Sequence, residues 1–548
     1  MGIVKKSAEV VSPLLENRLE KTARLVISVF MILIMGFLTM VSFLHTTGMD
    51  ITPDVESVSY HNDNLYINIL LLIFSMALCY VVMPLLKNIP LWAELAFIAV
   101  WTIIIGLLWV YSSQSAPTED SWRVTNASLC FAKDDFSPLD ERYFKDYSFQ
   151  LGYVFFNEVL IRIASIFGEV TDLLFLEALN VVFLAVTNIG IILLNIKIFS
   201  DERIRHLTVF LLAFCFQPIL FSTFLYGIIP GLMFAVWAVY FEVAYFKDNK
   251  IIYAILSAVF IALAIMIKSN YNIVLIAVIA IALVKLFSRK KYLYDLVYII
   301  LCAALALTIT PTVKAMYENR SGIDLGDSVP YVSWIAMGLN EPILSGLAPG
   351  WYNHTYTISN FEDNNFDASE ASKDSVANIE ERLGYFMSNP QYANDFFYEK
   401  TVSQWNETTY QSIWTNQVRG QYAEKGAFAA WVCNEGEGAV SGFMDIYAQL
   451  IFVGVLAGVI ACTRRKDIFA TILPLIILGG FLYHLISEAK SQYAMPYFIL
   501  MAGFAPYGLV SIYDLLAKKL GKIEWISKLF GFPKQETFTE SKKAIKNE

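Results

Sequence analysis

The sequence predicts an all-α polytopic membrane protein of about 12 transmembrane helices, with an interfacial helix and a folded external loop domain. Three observations carry that prediction. Of 548 residues, 57% are hydrophobic and 16% charged, with a mean hydropathy of +0.53, against about 45–50% apolar and about 25% charged in soluble domains. The apolar residues form continuous runs of the roughly 20 residues that a helix needs to cross hydrocarbon, without the period-2 alternation of barrel strands. Lys and Arg gather in alternate short loops, as the positive-inside rule requires of cytoplasmic connections. This composition excludes an ordinary soluble enzyme and a disordered chain. A formal charge of −9 excludes a protein built to hold nucleic acid, which needs a basic surface.

Residues 1–24 are the cytoplasmic N-terminus; they mix acids and bases and lead into a first span that reads as a retained anchor, with no small-residue cleavage site. The membrane domain, 25–316, holds spans at Leu25–Leu44, Tyr66–Leu86, Leu91–Tyr111, Leu173–Phe199, Leu207–Leu225, Ile228–Phe246, Ile251–Ile267, Tyr271–Phe287 and Leu293–Met316. Three more, Phe443–Cys462, Ile468–Leu485 and Met495–Leu516, make up the C-terminal part, 443–516. With twelve spans, the basic loops around Lys5/Lys6, Arg24, Lys87, Arg203/Arg205, Lys247/Lys250, Arg289–Lys291, Arg464–Lys466 and Lys518/Lys519 share the cytoplasmic side with both termini. The tail, 517–548, carries the amphipathic patch IEWISKLFGF.

Two regions then face outward. In the first, 112–172, the stretch 148–167 (SFQLGYVFFNEVLIRIASIF) is apolar but carries Gln150, Asn157, Glu158 and Arg162. It is placed as an interfacial helix on the outer face, with Glu158 and Arg162 paired at i,i+4. The second, 317–442, holds 17 acidic against 6 basic residues and many aromatics; it is too long for a linker and too aromatic for disorder, and reads as a folded extracytoplasmic cap. Chemistry is therefore expected outside, since the chain has no GxGxxG or Walker-type phosphate loop and its cytoplasmic loops are short.

Among residues able to do chemistry, the five histidines are scattered and no CxxC occurs, so no metal is assigned. Cys130 and Cys433 are both external and a disulfide between them is left open. Glu119 and Asp120 place two carboxylates at the membrane surface just after a span, followed by Arg123. Adjacent like charges near a low-dielectric surface suit a group that takes a proton from an attacking hydroxyl. On one span Glu177, Asn180, Asn188 and Asn195 add polar groups inside the membrane; Glu177 is a substrate-site candidate there, and the asparagines read as glue between helices. Trp334, Trp351, Tyr352 and Trp405 offer aromatic surfaces that serve either sugar stacking or packing.

The order of features resembles the GT-C fold of multi-pass glycosyltransferases. These features are a span, an outer acidic pair, a Y-x-x-Q-x-G stretch (Tyr147, Gln150, Gly152) opening a surface helix, and a train of spans. The likeness is to the branch of dolichyl-phosphate-mannose protein mannosyltransferases and bacterial lipid-A aminoarabinose transferases. Late in the chain, Glu488, Tyr493 and Pro496 match that family's E-x-x-x-R-Y-x-x-P motif, with Gln492 where Arg is usual. The stretches SWIAMGLNEPILSGLAPGWYN and KTVSQWNETTYQSIW resemble related Gram-positive membrane proteins.

The resemblance implies a hexosyltransferase-type enzyme of the bacterial cell membrane. It would move a sugar from a polyprenyl-phosphate-linked donor to a glycan, lipid or protein acceptor, with a separate synthase charging the carrier lipid. Asp120 is the expected general base with Glu119 as its assistant, and Lys268, Lys490 and Arg123 are the candidate donor-phosphate ligands. Tyr147, Gln150, Glu177, Glu488 and Tyr493 are expected around the substrates. No cofactor is assigned; some relatives use a divalent cation on paired acids, which stays open here. The competing readings are a transporter or flippase of a lipid-linked glycan and an envelope polysaccharide polymerase or ligase.

Overall fold

The computed structural model describes residues 2–51, 56–170, 173–287, 292–343, 346–419 and 424–532, with side chains from Arg18 onward. The basic cluster Arg289–Lys291, the side chains of Lys5 and Lys6, and the end of the tail lie outside the described residues. The chain is an all-α polytopic assembly. Among the described residues, ten helices are long and apolar enough to cross a membrane: Arg18–Leu44, Leu65–Leu86, Leu91–Ser113, Leu174–Ile198, Ile228–Asp248, Ser269–Leu286, Tyr292–Ser321, Glu437–Cys462, Ile468–Ile486 and Ser491–Leu520. Their outer flanks expose large apolar side chains such as Leu33, Phe74, Ile276 and Leu307, as a lipid-facing surface does.

Two of the twelve expected spans differ. The span expected at Leu207–Leu225 is broken: Glu202–Ala213 and Gln217–Thr223 meet at 41°. Pro218 opens the second piece, where its missing N–H and fixed φ forbid continuation of the preceding helix. Ile251–Ile267 is an apolar helix of 17 residues, short for a straight crossing. The count is ten, or eleven with the bent pair as one span.

Contacts separate the bundle into two ends. At one, Lys247 pairs with Asp467 at 3.0 Å, Lys285 with Glu20 at 2.8 Å and Arg203 with Asp514 at 2.7 Å, while Arg24 donates to the Cys462 carbonyl at 3.0 Å. The opposite end carries features that hydropathy does not reveal. Between the first two spans, β1 (His45–Met49) and β2 (Val58–Asn62) form an antiparallel hairpin with His45 opposite Asn62. In the region 112–172, Glu119–Ala132 is a helix packed against Leu151–Ser165.

The stretch expected to lie along the interface is helical over Leu151–Ser165, and Arg162 Nε donates to Glu158 at 2.9 Å. Its polar side is turned inward: Gln150, Asn157 and Glu158 are buried, and Glu158 also accepts from Tyr317 and Arg320 at 2.6 and 2.7 Å. Val159, Ile163 and Ile166, at helical spacing, face out. Gly152 makes this approach attainable, because a Cβ there would lie 1.8 Å from the Met266 carbonyl oxygen.

The segment between Ser321 and Glu437 folds into helices including Tyr331–Gly338, Ala368–Ser388 and Pro390–Trp405. It is stitched to the bundle. The Trp405 ring sits 5.6 Å from Phe481 and 5.8 Å from Tyr497, Lys400 Nζ donates to the Ser487 carbonyl at 2.8 Å, and Ala489 N–H donates to Gly350 at 2.9 Å.

Candidate functional site

A cavity of about 480 Å³ opens at the end opposite the basic loops, where widely separated parts of the chain converge. The helix Glu119–Ala132 brings Glu119, Asp120 and Arg123. The turn before Leu151–Ser165 brings Tyr147 and Gln150. The junction of the last two spans brings Glu488, Lys490, Gln492 and Tyr493. Eight of the ten residues expected from sequence thus share one cavity. Lys268 lines the adjoining compartment, which shares Tyr226, Glu488 and Tyr493 with the first. Glu177 is buried on Leu174–Ile198 and lies outside both linings. Its neighbour Asn180 donates to the Ser222 carbonyl at 2.9 Å, bracing the broken span; Asn188 and Asn195 tie helices to Thr102 and Thr208, as glue residues do.

Asp120 and Glu119 diverge. Tyr226 donates its hydroxyl to Asp120 Oδ2 at 3.0 Å and accepts from Gln150 Nε2 at 2.5 Å. Glu119 pairs instead with Arg419 at 3.3 Å. Glu119 holds φ +48°, the left-handed region that a non-glycine residue adopts only when its surroundings impose it. The break in the fifth expected span delivers Tyr226. The following Gly227 has φ +81°, and a Cβ there would approach the Ile267 carbonyl oxygen to 2.9 Å, so this turn requires glycine.

The cations differ in their company. Arg123 pairs with Glu141 at 2.6 Å and Arg142 with Asp146 at 2.6 Å. Lys490 pairs with Glu56, which also lies 3.6 Å from Arg419. Lys268 is 8% exposed, with its Nζ 3.5 Å from the Tyr226 ring centroid and no ion pair among the described residues. Burial pulls its ammonium down to about 7, against the opposing charges of Asp120 and Glu488. Burial pushes the Glu488 carboxyl up to about 7, with Lys490 opposing. Lys490 itself stays above the ordinary lysine range, because Glu56 and Glu488 outweigh the cost of its burial.

Aromatic rings fill the remaining wall. Tyr147 lies 6.0 Å from Trp334, its hydroxyl 3.4 Å from that of Tyr352. Trp334 and Tyr352 line the cavity. Trp351 and Trp405 are buried packing residues, Trp351 donating to Ser403 at 3.1 Å.

Sequence reasoning missed Arg419, Tyr226, Tyr143 and Glu56. Arg419 had a usable signal, being one of six cations in 317–442; Tyr226 had none, since its position depends on the break. The six cysteines are free, so Cys130 and Cys433 are unbridged. Among the described residues no three His, Cys, Asp or Glu side chains gather closely enough for a metal ion, and the acidic pair is split between Tyr226 and Arg419. That donor set does not fit a divalent cation. No protein-family model and no curated protein matches this chain.

Proposed function

We propose that this chain is a membrane glycosyltransferase, which moves a sugar from a polyprenyl-phosphate-linked donor to a hydroxyl of a cell-envelope acceptor on the outer face. The observation that carries the reading is the convergence of Asp120, held by Tyr226 and open to a polar, aromatic cavity, with the buried cation Lys268 on the other face of the same tyrosine. The basic loops at the opposite end support an outward-facing cavity. Asp120 accepts the proton of the acceptor hydroxyl as its oxygen bonds to the anomeric carbon. The bond from that carbon to the phosphate oxygen breaks, and its electron pair leaves with the polyprenyl phosphate. Lys268 balances the added negative charge, with Lys490 and Arg123 as nearby cations. Glu119, through Arg419, fixes the rim beside the base.

The test is envelope-glycan composition in the native host for wild type, a deletion strain and Asp120→Asn at equal membrane abundance. Loss of the same sugar in both mutants is expected. A change in the deletion strain alone removes Asp120 as base and favours a flippase.

A further inference from the structure

The charges around the site are unevenly matched, and the imbalance speaks to the acceptor. In the 480 Å³ compartment, each of the four cations, Arg123, Arg142, Arg419 and Lys490, already has a carboxylate within ion-pair distance. Two lining carboxylates, Asp120 and Glu488, have no ion pair among the described residues. The smaller compartment beside it shares Glu488, but its one lysine, Lys268, is more than nine-tenths buried and lies against the Tyr226 ring with no carboxylate in ion-pair distance among the described residues. Of the cations lining the two compartments, Lys268 is the one an anion can meet without breaking an ion pair among the described residues. In the larger compartment it would have to break an existing pair and would also face Asp120, which the smaller one lacks, and like charges in a partly desolvated site repel strongly.

The other lining groups of the larger compartment are neutral hydrogen-bonding and aromatic ones: two glutamines, five tyrosines, Trp334, Phe149 and Phe224, with Ile358 the one aliphatic side chain. Amides and phenols exchange hydrogen bonds with hydroxyls, and ring faces cover the C–H faces of sugars.

Resting on the transferase reading, we infer that the site is divided around Tyr226: the single anion of the donor goes to the Lys268 compartment, and the acceptor in the larger compartment is an uncharged, hydroxyl-rich glycan rather than an acidic polymer. Tyr226 then sets the spacing between the two substrates, because its hydroxyl holds the base and its ring carries the cation.

The experiment is a separation of acceptor classes. Envelopes of the native host expressing wild type or Asp120→Asn, at equal membrane abundance, are extracted into lipid, protein and glycan pools. The glycans are divided by anion exchange into neutral and acidic fractions before sugar analysis. Loss of one sugar from the neutral fraction, with the other pools unchanged, is the expected result. Loss from the acidic, lipid or protein pool with the neutral fraction intact overturns this inference and leaves the transferase reading standing. If no pool changes, the transferase reading fails and this inference with it.

Discussion

Charged residues crowd both ends of the helix bundle, yet they are arranged differently. At the basic end they are knitted into half-exposed pairs such as Lys247 with Asp467 and Arg203 with Asp514, which fasten loops to one another. Around the cavity, Asp120, exposed to it, Glu488, half-buried, and Lys268, buried against the Tyr226 ring, have no ion pair among the described residues. Exposed pairs contribute little individually because water and salt screen them; unmatched buried charges cost stability and are kept where a ligand completes them. Charge density alone does not mark a site. Unmatched charge beside a cavity does.

The largest expected effect is at the base. Asp120→Asn should lower sugar transfer by about 10²–10⁴-fold, the usual share of a general base, whereas Asp467→Asn at the basic end should leave transfer at the wild-type level; comparable losses in both would erase the contrast between the ends. Away from the cavity lining, Trp351→Ala should cost about 3–5 kcal/mol of stability, as for other buried aromatic truncations, read as thermal unfolding in detergent. Trp334→Ala should leave the melting temperature nearly unchanged and reduce transfer instead.

Lys268→Met should then lower transfer by about 10–100-fold, equivalent to about 1.5–3 kcal/mol for a charge-assisted hydrogen bond. An unchanged rate would remove the lysine from donor binding.

A pH scan separates the unmatched charges further. Glu488 sits near 7 because it is buried, so between about 4.5 and 7 the folded protein holds a proton that the unfolded chain has lost, and stability falls as pH rises through that window. Lys268 and Lys400, both drawn down to about 7 by burial, act the other way above 7: the unfolded chain binds more protons, and stability rises with pH. Glu488→Gln should flatten the lower arm of a melting-temperature profile and spare the upper one; an unaltered lower arm would assign that slope elsewhere. The smallest effect belongs to the basic end, where Lys247→Ala should cost less than about 1 kcal/mol, measured by the same unfolding assay.

Hydropathy alone determined the membrane class, ten of the helices and the common end of the basic loops, because lipid forces every crossing segment to be long, helical and apolar regardless of its neighbours. Local order put Asp120 just after a span, and the resemblance to the GT-C family pointed to Tyr147, Gln150, Glu488 and Tyr493, which line the same cavity. The break before Pro218, the inward turn of Glu158 and the meeting of Tyr226, Arg419 and Glu56 with Asp120 were decided only by the tertiary structure. They depend on contacts between residues up to hundreds of positions apart, and on which side chain already has a partner. Charge pairing is a property of three-dimensional neighbours, so the sequence supplied the charged residues while the folded bundle chose which of them to leave unmatched.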